Sequence, residues 1–341
     1  MKLLVVTKKV DKNDQLLGFF VQWLCLLSEW FNRIEVLCLE EGEYDLPSNV
    51  SVHSLGKDRG MSKLKQLFNF YSLLSTLNYD AVLVHMNPIW MALGGIYWKV
   101  TSKKTFFWYT SGGVTFKLRI ATMFSNTVFT ASPESFRLKS DKIVVTGHGI
   151  DTELFKPDPD KLSAINYQLR LLSVGRISPV KNYETLVEAA KILKDKKVNF
   201  KVTMVGEPAL VKDKDYESSL KSKIKSLDLE ENFNFVGKIS HNDLPEYYGS
   251  HDVFIHLSKT GSLDKAILEA MASGMKVLSS SDSARKFLSQ ELLFNESDSE
   301  ELAEKIFRVK DLPVSDRLRN YVVQNHNLPV LIDKLTKLIK N

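Results

Sequence analysis

Residues 261–274 read GSLDKAILEAMASG, a turn, a helix start and a short helix holding one carboxylate, Glu269. Gly261 and Ser262 open the turn. Asp264 suits an N-cap or first-turn position, where a carboxylate accepts backbone N–H groups and faces the positive end of the helix dipole. Ala266, Leu268, Ala270, Met271 and Ala272 then favour helix. Apolar β-rich runs flank the stretch, at residues 253–256 before it and 276–278 after it. Strand, turn, helix and strand in that order make a βαβ unit, and with it a parallel sheet.

Upstream, residues 174–182 read VGRISPVKN, a strand end carrying two cations, Arg176 and Lys181, five residues apart. Gly175 permits a tight turn and close backbone approach. Alone, this is also how a solvated loop with two surface cations reads, and the helix of Glu269 alone also reads as a capped helix with a structural ion pair. Together they make a holder for a nucleoside diphosphate. The cations and the helix start neutralise phosphate oxygens, and the carboxylate accepts hydrogen bonds from ribose hydroxyls.

The same alternation runs the length of the chain. In the first half, strands are expected at residues 3–6, 34–39, 50–55, 81–84, 105–109, 127–130 and 143–145, with helical patterns at 16–31, 61–77 and 89–100. In the second half, strands are expected at 171–174, 200–205, 233–236, 253–256 and 276–278, with helices at 183–194, 216–227, 244–249 and 265–272. Strands rich in Val and Ile without strict alternation imply sheets buried on both faces. The pattern predicts an α/β chain of two doubly wound, Rossmann-like domains facing across a cleft, with ligands beyond the carboxyl ends of the strands. At 341 residues, two cores are the expectation. The seam falls in residues 151–163, DTELFKPDPDKLS, where Pro157 and Pro159 interrupt regular structure. The expected division is 1–152 for an acceptor-side domain, 153–320 for a nucleotide-sugar-binding domain, and 321–341 for a C-terminal helix, with helical apolar spacing over 328–339, able to pack on either domain and so to cross back to the first.

Composition narrows the class. A chain 44% hydrophobic and 26% charged is ordinary for a globular protein, without disorder or repeats. Cys25 and Cys38 make neither a disulfide framework nor a zinc site, and read as reduced thiols in a cytoplasmic protein. The N-terminal MKLLVVTKKV reads as a buried strand rather than a signal peptide, and no apolar run reaches the roughly 18–20 residues of a membrane span. Residues 1–150 carry 17 Lys+Arg against 12 Asp+Glu, whereas the rest carry 29 of each. That imbalance suits an anionic surface as partner of the first half, though one so small also arises by chance.

Taken together, VGRxxPxKN and LEAMAxG resemble the second domain of the family 4 retaining glycosyltransferases, which have the two-domain GT-B fold. The resemblance continues through residues 235–237 and 244–258 (LPEYYGSHDVFIHLS), and more weakly through Gly18 and residues 147–151 (GHGID) in the first half. It implies that Arg176 and Lys181 hold a donor diphosphate and that Glu269 binds the ribose. It implies also that Gly18 lets the first loop approach donor or acceptor, and that backbone near Gly237 and Ile239 contacts the base. No metal or other cofactor is implied. Two departures stand out. The first Glu of the family's usual Glu-x7-Glu motif is Gly261, within a GSLDK variant. The sugar is then expected to rely on backbone N–H groups of Ser262, Leu263 and Asp264, with Asp264 or Lys265 substituting. The family's His after the fifth strand is matched by Ser111 in WYTSGG, and serine lacks the imidazole's pKa near neutrality.

His85, at the carboxyl end of the strand over 81–84, is the remaining candidate for acceptor contact; the alternative is a structural histidine. The aromatic and basic zone from Trp90 to Trp108, with residues 61–70 (MSKLKQLFNF), suits a lipid headgroup boundary or a core with a solvated lysine rim. No nucleic-acid-binding module is recognisable.

The resulting expectation is a retaining glycosyltransferase, a hexosyltransferase, in polysaccharide biosynthesis. It takes a nucleotide-sugar donor and a glycan or lipid-linked acceptor, in the cytoplasm and peripheral at the inner face of an anionic membrane. His85 and Ser111 stand on the catalytic side. The competing readings are a nucleotide-sugar epimerase of the same fold, a binding subunit that has lost turnover, and a membrane-surface scaffold.

Overall fold

The computed structural model describes residues 1–158, 168–309, 311–312 and 315–341, and divides into two units. The first comprises Met1–Gly149, Ser240–Asn242 and Leu328–Asn341; the second comprises Ile150–Ile239 and Asp243–Asn327. Of the expected seam, residues 159–163 with Pro159 lie outside the described residues.

The first unit holds strands β1 (Lys2–Val10), β2 (Arg33–Glu41), β3 (Val50–Ser54), β4 (Ala81–His85), β5 (Lys104–Trp108), β6 (Thr127–Thr130) and β7 (Ile143–Val145). Its helices are α1 (Phe19–Ser28), α2 (Lys63–Thr76), α3 (Pro88–Val100) and α4 (Phe116–Phe124). The seven strands lie in the order β3-β2-β1-β4-β5-β6-β7, every pair parallel. Side chains alternate across the sheet. Leu3 and Val5 of β1 join the core under α1, with Phe20, Trp23 and Leu24. Leu4 and Val6 join the opposite core, with Phe70, Trp98 and Leu118 of α2, α3 and α4. Both faces being covered accounts for the near-continuous apolar strands.

The second unit repeats the plan with β8 (Leu169–Val174), β9 (Phe200–Val205), β10 (Phe233–Gly237), β11 (Val253–His256) and β12 (Lys276–Ser279). Its helices are α5 (Tyr183–Asp195), α6 (Val211–Ser226), α7 (Leu244–Ser250), α8 (Lys265–Ala272), α9 (Ser299–Val309) and α10 (Arg317–His326). The parallel order is β10-β9-β8-β11-β12. In each sheet the first strand lies inside and the winding reverses beside it, between β1 and β4 and between β8 and β11. Such a reversal parts the loops at the carboxyl ends of the two strands and leaves a crevice there.

The helix that the apolar spacing over 328–339 predicts is present, and the rest of the 321–341 segment belongs to a second helix before it. α10 stops at His326, Asn327 is extended (φ −62°, ψ 138°), and α11 (Leu328–Lys340) begins anew. Pro329 explains the break, because it has no N–H for the preceding turn and its ring collides with that turn's carbonyl. Leu331, Ile332, Leu335 and Ile339 of α11 complete the α1 side of the first core. Gly149 leads out of that unit at φ 72°, which strains any residue with a side chain, and a Cβ there would press on Leu331 Cδ2 at 2.4 Å.

The aromatic zone resolves into core. Trp90, Trp98, Phe106, Phe107 and Trp108 are buried. Among the described residues, no helix is long and apolar enough to cross a membrane.

Candidate functional site

Two loops at the reversal point of the second sheet come together. The first leaves β8 at Gly175, the second leaves β11 after His256. The Lys259 N–H donates to the Val180 carbonyl at 3.0 Å, tying one loop to the other. Gly175 (φ 153°) lets the Lys181 side chain lie against it: a Cβ there would sit 3.0 Å from Lys181 Cε and 3.2 Å from Nζ. Arg176, one residue on, is exposed and has no carboxylate partner among the described residues.

The second loop ends in α8. Asp264 caps it, Oδ1 accepting from the Ala266 N–H at 3.3 Å. Its Oδ2 accepts from Lys181 Nζ at 2.5 Å and lies 3.2 Å from His256 Nε2. Burial works against the Asp264 carboxylate, yet Lys181 and His256 hold its pKa well below the usual carboxylate range. Burial lowers the pKa of His256, against the pull of Asp264, so the imidazole is neutral near pH 7. Its Nδ1 lies 3.3 Å from the Ser279 hydroxyl. One carboxylate thus caps the helix and holds Lys181 beside its N-terminus. That end gathers an ammonium and the helix dipole at one spot, a combination suited to an anion.

α8 runs through the core, with Ile267, Leu268, Ala270 and Met271 fully buried. Glu269 is carried in with them and is only 4% exposed. Lys265, one turn earlier, meets its Oε1 at 3.1 Å, and Tyr248 donates to Oε2 at 3.1 Å. Burial pushes Glu269 up against the pull of these partners, and it pushes Lys265 down. Ser262 and Leu263 lie in the turn before Asp264, the Ser262 hydroxyl 3.1 Å from that of Thr260 and Leu263 packed in the core. Gly237 (φ 80°) closes β10, and a Cβ there would meet nothing within 4 Å. Ile239 lies just beyond, partly buried.

The first unit's candidates lie at the carboxyl ends of its strands. Gly18 precedes α1, and a Cβ on it would come within 2.5 Å of the Asp14 carbonyl and 2.8 Å of that of Lys12. Close packing of its own loop is therefore what demands glycine there. His85, only 1% exposed, stacks on Phe20 (centroids 4.1 Å apart), with Nδ1 3.3 Å from the Thr7 hydroxyl. Ser111 lies partly exposed in the loop after β5.

Sequence reasoning missed His256 and Tyr248. The place of His256 at the last position of an interior strand, beside the turn that leads to Asp264, is a usable signal. Tyr248 sits on another helix, and nothing in its spacing relates it to Glu269. Among the described residues, no three His, Cys, Asp or Glu side chains are grouped to hold a metal ion.

The profile of a protein family described as glycosyl transferases group 1 matches residues 156–327. Over 151 residues the chain is 34% identical to the amylovoran biosynthesis glycosyltransferase AmsK of Erwinia amylovora, covering 42% of this chain and 35% of that protein. Over 216 residues it is 27% identical to WcaL of Escherichia coli K12, a putative colanic acid biosynthesis glycosyltransferase, covering 59% and 51%. The chain thus spans about a third to a half of these relatives' lengths. Among solved structures, Anabaena HepE in complex with UDP and glucose superposes with a TM-score of 0.80 at 18% identity, covering 100% of both chains. That likeness shows the fold, GT-B, as the sequence resemblance implied.

Proposed function

This chain belongs to the group 1 glycosyl transferases, and on that premise we propose that it transfers a hexose from a nucleotide-diphosphate sugar to a glycan or lipid-linked acceptor, with retention at the anomeric carbon. The observation that carries the reading is the pair of loops at the reversal point of the second sheet. There the Lys181 ammonium stands beside the start of α8, and Arg176, exposed and with no carboxylate partner among the described residues, leaves β8 in the loop tied to it. Departure of a nucleoside diphosphate builds negative charge on its phosphate oxygens, and fixed positive groups at that spot stabilise it. The proposed donor site comprises Arg176, Lys181, backbone of Ser262, Leu263 and Asp264, and Glu269 for the ribose, with Gly237 and Ile239 toward the base. The first unit takes the acceptor, with Gly18, His85 and Ser111 on that side. The relatives named for amylovoran and colanic acid biosynthesis and the UDP-bound neighbour support a UDP-sugar and a growing glycan. We place the protein in the cytoplasm, at the inner face of the membrane.

Thermal unfolding against UDP, GDP, ADP and their sugar conjugates tests this. A specific nucleotide at about 100 times its Kd should add about 2.7 kcal/mol of stability. The product's anomeric configuration, read by proton NMR, then tests retention. No shift with any nucleotide would remove the reading.

A smaller prediction concerns Ser111. An imidazole in its place would supply a group with a pKa near 7 on the proposed acceptor side. Ser111→His is expected to raise turnover, or at least donor hydrolysis in the absence of acceptor. Unchanged rates in both assays would show that this loop does not reach the chemistry.

A further inference from the structure

Helices α2, α3 and α4 cover one face of the first sheet, and their inner sides fill its core. They form one layer: the Tyr71 hydroxyl of α2 donates to the Leu93 carbonyl of α3 at 2.9 Å, and Gly95 of α3 packs on the Phe124 ring of α4. Their outer side is unusual. Leu64 and Phe68 on α2, Ile96 and Val100 on α3, and Phe116 and Met123 on α4 are each between 63% and 80% exposed. The spacings are four, four and seven residues, which keeps each pair on a single helical stripe.

The charge on this layer has one sign. α2, α3 and α4 contain no Asp or Glu at all, whereas Lys63, Lys65, Lys99, Lys117 and Arg119 are all exposed. By contrast, α5, α6 and α9 of the second unit each mix acidic and basic residues. Large apolar side chains on a water-facing surface are costly to leave uncovered. A second protein surface would bring carboxylates or a matching apolar plate. A sheet of anionic headgroups over hydrocarbon matches both properties at once, taking the apolar stripes below the phosphates and the cations level with them.

We infer that the outer face of α2, α3 and α4 is a docking surface for an anionic lipid bilayer. The inference deepens the proposed placement at the membrane by giving it a surface. It also presents the first unit, the proposed acceptor side, to lipid-linked acceptors. Phe68 and Ile96 are the two anchors to test, since both are exposed and neither belongs to the proposed donor site.

Full-length protein is sedimented with vesicles of phosphatidylcholine alone or mixed with phosphatidylglycerol, across a salt series. Binding is expected only with the anionic vesicles and is expected to weaken as salt rises. Phe68→Ser with Ile96→Ser should weaken it at least about tenfold, the loss of two buried apolar side chains. Lys63→Gln with Lys65→Gln should weaken it about tenfold or more, at roughly fivefold per cation. UDP-induced thermal shifts should be the same in both double variants as in the parent, which keeps this test separate from the donor site. Vesicle binding without any nucleotide shift would sink the transferase reading and leave the surface standing. Equal sedimentation of parent and Phe68→Ser/Ile96→Ser, or no sedimentation of the parent, would overturn the surface. So would a self-associated parent that the same variant turns into a monomer in analytical ultracentrifugation, which would make the face a contact between copies.

Discussion

Replacing Lys181 with methionine is expected to lower kcat/KM for the donor by about 10²–10³, the size of losing one preorganised group that stabilises developing charge. The ammonium stands beside the N-terminus of α8 and is held there by Asp264. That contact lends itself to two roles, and their variants diverge. If Lys181 serves only to hold the α8 cap, Lys181→Met and Asp264→Asn break the same pair and should lose UDP affinity together. If Lys181 binds the diphosphate, Asp264 competes with the ligand for it. Asp264→Asn, which keeps an N-cap residue, should then bind UDP as well as the parent or better, while Lys181→Met binds it worse. Calorimetric titration of UDP into both variants decides the matter, and parallel losses would assign Lys181 to structure.

Glu269→Ala is expected to cost about 2–3 kcal/mol of stability, below the full penalty for breaking a buried ion pair because the Lys265 side chain keeps 18% exposure. The group that loses its carboxylate at 3.1 Å is the Lys265 ammonium, whose pKa burial lowers against the pull of Glu269 and Asp151. A double variant, Lys265→Met with Glu269→Met, removes both charges at similar volume and should recover most of the loss. It also separates the two readings of Glu269. A ribose contact predicts a double variant that is folded and binds UDP poorly. A purely structural pair predicts a folded variant with unchanged UDP affinity. Urea unfolding followed by UDP titration makes both measurements, and a cost below about 1 kcal/mol for Glu269→Ala would show that the pair is hydrated in solution.

The strands were largely legible, because both sheets are covered on both faces and their Val- and Ile-rich runs stand out against polar loops. β6, β7, β9 and β11 begin and end where the apolar runs do. The amphipathic helices α4 and α9 were not read; α4 has only a short buried stripe of Leu118, Ala121 and Thr122. Arg176, Lys181, Asp264 and Glu269 were identifiable because strand ends and a helix cap mark them locally. Their partners were not, since Lys181 meets Asp264 across 83 residues and Glu269 meets Tyr248 across 21. A sequence gives the residue types at such a site, but contacts of that span come from the winding of the sheet. The alternatives for Trp90 to Trp108 were decided by depth. Its rings are core, and the exposed apolar surface of α3 is aliphatic.

The return of α11 to the first unit bears on how the chain acquires its structure during synthesis. The segment that seals the α1 side of the first core begins at Leu328, after the first unit's main segment has ended at Gly149. At roughly 5–20 residues per second, a ribosome takes on the order of 10–35 s to make the intervening stretch. Through that interval Trp23, Leu24 and Leu27 have no α11 to cover them, and the nascent chain exposes an apolar groove that a chaperone can occupy. A fragment ending at Gly149 would stay in that state for good, so expressing the first unit alone calls for grafting residues 328–341 back on through a linker.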